Sequence, residues 1–137
     1  MKFYAFDVDE CLWTSRGPVT EQMLKDLHAT GDAILGICGN LSAFLPRYPD
    51  WHKIISVTMN FDFGYNNQYG MSLVPKAIWL HCFQHVACPG LESYTMVGNK
   101  FGRVNSCGVS CGSHDDMAAQ QAGWRFLLED EFAAGQR

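Results

Sequence analysis

The chain has 137 residues, 47% apolar and 18% charged, the balance of a globular protein and not of a disordered one. That length suits one domain burying about two-thirds of the surface of its unfolded chain. The net charge of −4, with no stripe of Lys or Arg, argues against nucleic acid as a main partner.

No stretch approaches the roughly eighteen consecutive apolar residues of a membrane span, and the N-terminus lacks the basic region and apolar run of a secretory signal. The expectation is a soluble, cytoplasmic protein without a membrane partner. Six cysteines in such a chain read as reduced thiols or metal ligands before they read as disulfides.

Phe3 to Phe6 form a short, wholly apolar strand, which leads into Asp7-Val8-Asp9. If the strand alternation persists there, the two carboxylates face one cavity roughly 6–7 Å apart while Val8 enters the core. Two acids sharing a strand end call for a divalent cation between them or for one protonated member. An Asp-x-Asp alone reads more readily as a pair of solvated loop acids, since the tripeptide is common.

After the polar turn Thr14 to Pro18, Thr20 caps a helix running from Glu21 to about Ala29, which Gly31 stops. Ala33 to Cys38 is a buried strand without alternation, as in a parallel sheet covered on both faces. Leu41 to about Leu45 is a short helical turn, Ile54 to Thr58 a third strand and Asn60 to Ser72 a loop. Pro75 opens a helix carrying Ile78, Leu80, Phe83 and Val86, closed by Pro89-Gly90. Tyr94 to Val97 is a fourth strand, Asp115 to Ala122 a helix closed by Gly123, and Trp124 to Leu128 a fifth strand. The acidic run Glu129 to Glu131 reads as a solvated end. Strand and helix alternate throughout, which predicts an α/β domain with a doubly wound parallel sheet, Rossmann-like, binding ligands outside the carboxyl ends of its strands.

Phe6-Asp7-Val8-Asp9-Glu10-Cys11-Leu12 resembles the opening signature of the haloacid dehalogenase-like (HAD-like) phosphohydrolase superfamily, an apolar strand followed by Asp-x-Asp-x-Thr/Val-Leu, with Cys11 in the Thr/Val place. Asp115-Asp116-Met-Ala-Ala-Gln-Gln-Ala-Gly123 is similar to that family's Asp-x-x-Ala-Ala-x-x-Ala-Gly run. The resemblance spans Phe3 to Gly123 and implies a small, single-domain HAD-like phosphatase without a large cap. It implies Asp7 as nucleophile, Asp9 as acid and base, and Lys76 as the cation facing the phosphoryl group. Mg²⁺ would be held by Asp7, the Asp9 carbonyl and Asp115 or Asp116.

Two departures stand out. Gly98-Asn99 replaces the family's Gly-Asp, leaving Asn99 as a metal ligand with one charge fewer. Cys38-Gly39-Asn40 replaces its Ser/Thr, so the phosphate-binding set becomes Cys38, Gly39, Asn40 and Lys76, with Asn40 or Ser42 donating in place of the hydroxyl. The implied activity is Mg²⁺-dependent hydrolysis of a small phosphate monoester through an aspartyl-phosphate. The alternative is a catalytically weakened relative that binds a phosphate ligand or a protein partner. Substrate choice would rest on the loops Trp13 to Pro18, Asn60 to Ser72 and Lys100 to Ser113, or on a neighbouring subunit of an oligomer.

His81, Cys82, His85 and Cys88 crowd one helix, and Cys107, Cys111 and His114 punctuate the loop before Asp115. A zinc ion would tie loop to helix. None of these spacings is a strong zinc signature, and buried thiols with surface imidazoles account for them as well.

Overall fold

In a computed structural model, which describes residues 1–60 and 75–137, five parallel strands form one sheet in the order β3-β2-β1-β4-β5. The strands are β1 (Lys2–Phe6), β2 (Ala33–Gly39), β3 (Ile55–Asn60), β4 (Ser93–Gly98) and β5 (Arg125–Leu128). The helices are α1 (Glu21–Ala29), α2 (Pro75–Cys82), α3 (Asp115–Ala122) and the short α4 (Glu129–Ala133). A wide π-helical turn, Phe83–Ala87, continues α2. The fold is therefore α/β with a doubly wound parallel sheet, as the alternation of elements predicts. The loop expected over Asn60 to Ser72 lies outside the described residues, apart from Asn60 itself, which ends β3.

Alternation along β1 divides the core into two layers. Tyr4 and Phe6 face one side, with Leu24 and Leu27 of α1 and Phe132 of α4. Phe3 and Ala5 face the other, with Ala77 and Leu80 of α2 and Ala118 and Ala119 of α3. Phe3 anchors this second layer, its ring 5.1 Å from Phe83 and 5.7 Å from Trp124. Both faces of β1 are covered, which is why it shows no polar alternation.

Local signals end the elements where the sequence places them. The Thr20 hydroxyl accepts the Met23 N–H at 3.3 Å at the start of α1. Gly123 takes the left-handed conformation, φ 74°, after α3. Among the described residues no helix is long and apolar enough to cross a membrane.

The chain runs outward from β1 to β2 and β3, then returns to lay β4 against the other edge of β1. The crevice between β1 and β4 is the switch point of the sheet, the place where such folds accept ligands.

The C-terminal acids are not a solvated end. Glu129 opens α4, is fully buried, and is paired with Arg103 from the loop between β4 and α3, while the same guanidinium holds Asp130. Asp130 also accepts the Ser106 N–H. In the same loop the Asn105 amide donates to the carbonyls of Glu10 and Arg16, at 3.0 and 3.2 Å. The loop thus fastens the turn after β1 to the last helix.

Burial pushes the Glu129 carboxyl above its ordinary 4.5, and Arg103 pulls it back. A carboxyl with a raised folded pKa contributes stability that is fully present below 4.5 and lost as the pH rises through the folded value. Arg103→Ala leaves this charge buried without its partner and is expected to cost about 3 kcal/mol at pH 7. The deficit should shrink towards pH 4, where the carboxyl is protonated in both states. Urea midpoints of the wild type and variant at the two pH values measure it.

Candidate active site

β1 ends at Phe6, so Asp7 to Asp9 lie in the turn beyond it and not on the strand itself. The Asp7 N–H still donates to the Val97 carbonyl at 3.0 Å, which fixes Asp7 at the switch point. Val8 is buried, as expected, and the Asp7 side chain is buried too, with only 3% of the residue exposed. Asp9 is partly exposed.

Lys76, at the start of α2, inserts its ammonium between two carboxylates. Its Nζ lies 3.0 Å from Asp7 Oδ1 and 2.5 Å from Asp115 Oδ1. Asp115, the first residue of α3, uses its other oxygen to accept the Asn99 N–H at 2.8 Å. The Asn99 N–H therefore holds the carboxylate that holds the lysine. Burial, and then the Asp115 carboxylate, push Asp7 well above the usual carboxylate range, while Lys76 acts in the opposite direction. Lys76 is held charged: the two carboxylates outweigh the cost of its burial and raise its pKa.

Asn99, fully buried at the end of β4, completes the cluster. Its Nδ2 donates to Asp7 Oδ2 at 2.8 Å and to the Asp9 carbonyl oxygen at 2.7 Å. Its Oδ1 is buried with no hydrogen-bond partner among the described residues, as is Oδ1 of Asp116. The Asp9 carboxylate is held separately, by the Ser15 hydroxyl at 2.6 Å and the Asn40 amide at 3.4 Å. Ser42 in turn donates to Asn40 Oδ1 at 2.5 Å. Cys38 is fully buried in the layer under α2 and α3, and burial raises its thiol pKa well above 9.0, so Asn40 is the side chain this strand end offers a ligand.

Two glycines let the carboxylates approach the sheet this closely. A Cβ on Gly98 would stand 2.3 Å from Asp115 Oδ2, and one on Gly39 would stand 2.7 Å from Asp7 Oδ1. Sequence reasoning placed Gly39 in the phosphate set but missed this clearance, and it passed over Ser15 altogether. The signal for the glycines was available, since each closes a strand immediately before an asparagine. Ser15 carried none. It reaches Asp9 because Glu10 and Arg16 turn left-handed, with φ 55° and 60°.

Among the described residues no three His, Cys, Asp or Glu side chains gather as a group able to hold a metal ion. The seven residues proposed for zinc are accordingly not assembled into a cage. His81 and His85 do face each other on their helix, ring centroids 4.2 Å apart. His114 stacks instead on Phe101 at 4.7 Å, Cys107 is exposed, Cys111 is buried, and all six cysteines are free thiols. Between Asp7 and Asp115 stands the Lys76 ammonium. The oxygens that do converge are Asp7 Oδ2 and the Asp9 carbonyl, both on the Asn99 amide. These are hard oxygen donors of the type Mg²⁺ takes alongside water, and Asn99 Oδ1, at the other end of the amide, is without a partner among the described residues.

No family model, curated protein or solved structure matches the chain.

Gly98→Ala should displace the Asp115 carboxylate and with it the seat of Lys76, at a cost of about 1–3 kcal/mol. Gly112→Ala, where an added Cβ meets nothing within 4 Å, should stay within about 0.5 kcal/mol of wild type. Thermal and urea melts of the two variants test the contrast.

Proposed function

We propose that the protein is a small HAD-like phosphohydrolase that cleaves a phosphate monoester through an aspartyl-phosphate on Asp7. One observation carries the reading. A buried carboxylate at the switch point is held from one side by a largely buried lysine and from the other by an amide, with a second, more exposed carboxylate two residues on. An ion pair of this kind is costly to bury and a weak device for stability, whereas a positioned nucleophile beside a phosphate-neutralising cation has use for it.

In this mechanism an Asp7 oxygen attacks phosphorus, forming a carboxyl O–P bond as the bond from phosphorus to the leaving oxygen breaks. Asp9 delivers its proton to that oxygen. Asp9 then takes a proton from water, the water oxygen bonds to phosphorus, and the Asp7–phosphorus bond breaks to release inorganic phosphate. Ser15 and Asn40 hold the Asp9 carboxylate in place for both transfers. Lys76 neutralises charge gathering on the phosphoryl oxygens. Asp7, the Asp9 carbonyl and Asn99 would hold Mg²⁺, which when bound shields the nucleophile from the anion it attacks.

A second reading is favoured by the Asn99 amide, which already satisfies both oxygens meant for the cation, and by a buried thiol where the family carries a hydroxyl. That protein would bind a phosphorylated ligand without turning it over.

The expected result is hydrolysis of para-nitrophenyl phosphate in Mg²⁺, lost on chelation and reduced at least about 1,000-fold in Asp7→Asn. Wild-type rates in Asp7→Asn would refute the nucleophile. Mg²⁺ binding without turnover in the wild type would select the second reading.

A further inference from the structure

We propose that Asn99 is the protein's internal substitute for the cation, and that its side-chain amide turns over when a divalent cation enters. The inference rests on the cation reading given above, and extends it to how the site is held in the absence of metal.

Asp7 Oδ2 and the Asp9 carbonyl both receive Asn99 Nδ2, at 2.8 and 2.7 Å. The opposite end of the same amide, Oδ1, is buried and bonded to nothing among the described residues. A buried acceptor without a donor is expensive, and a half-turn about the last side-chain bond would exchange the two ends in almost the same volume. With Asp7 ionised, that turn is disfavoured electrostatically in the cation-free protein, since it would bring three oxygens together with no hydrogen among them.

A cation reverses the preference. With a positive ion between Asp7 and the Asp9 carbonyl, the amide NH₂ faces it with its positive end, whereas the carbonyl end of the same group is a good ligand for a hard ion. The side chain thus has two orientations, one end of the amide is left over in each, and the cation decides which. In the cation-free state the NH₂ keeps the nucleophile and the Asp9 backbone in register. The ion must displace two hydrogen bonds to bind, so it binds more weakly than at a site with a carboxylate in position 99.

The test is titration of the full-length protein with Mg²⁺ alone, followed through the side-chain ¹H–¹⁵N resonances of Asn99 with those of Asn105 as reference. Saturation should move the Asn99 pair and leave the Asn105 pair in place. By calorimetry Asn99→Asp should bind Mg²⁺ at least tenfold more tightly than wild type, and in chelator it should melt at a lower temperature, recovered by Mg²⁺. Saturable binding with stationary Asn99 resonances would overturn the amide turn alone, and so would equal affinity in the two proteins. Failure of both to bind Mg²⁺ would overturn the turn and the cation reading together. The resonance measurement needs only the wild type, so it stands even if Asn99→Asp does not fold.

Discussion

The structure depends on one largely buried ammonium. Lys76 sits between Asp7 and Asp115, and each contact joins elements that are distant in the chain: α2 to the end of β1, and α2 to the start of α3. Without it two buried carboxylates would face each other at the centre of the sheet's carboxyl edge. Their mutual repulsion and desolvation would force protonation or separation. With it, the three groups form a network in which the lysine stays charged and one of the acids bears the strain of burial.

Around that network the backbone does much of the positioning. The switch point supplies a crevice, glycines at the ends of β2 and β4 let the carboxylates lie against the strands, and Asn99 links Asp7, Asp115 and the Asp9 carbonyl through its backbone and side-chain N–H groups. The site is thus assembled from the ends of β1 and β4 and the beginnings of α2 and α3, all rigid elements. Asp7 and Asp9 stand on the turn that leaves β1, Asp7 tied to β4 through its N–H and Asp9 held by Ser15 and Asn40. In the proposed mechanism that suits a group that has to give up and recover a proton.

Much of this was visible in the order of residues. Apolar runs without alternation marked the strands because helices cover both faces of the sheet, and caps such as Thr20 and Gly123 marked helix ends because their chemistry is local. Asp7, Lys76, Asn99 and Asp115 could each be picked out, since each stands at a strand exit or a helix entrance. What local pattern cannot express is pairing. Nothing near Lys76 announces that it lies between two acids, and nothing near Asn99 tells which end of its amide is engaged. Glu129 looked like part of a solvated acidic end because its partner, Arg103, lies 26 residues earlier in a loop without periodicity. β1 ends at Phe6, where its apolar run ends; Asp7 keeps a bond to β4, yet the chain has already begun to turn.

The register of β1 has a consequence for how the chain is made. Lys2 pairs with Ala33 on one side and with Ser93 on the other, so the central strand leaves the ribosome long before its second neighbour exists. Until then one edge of this central strand lies open to any other nascent chain, and closure of that edge is a long-range event of the slow kind. The same late arrival of β4 brings Asn99 to Asp7. The closing of that edge and the meeting of Asn99 with Asp7 are therefore one event in the folding of the chain.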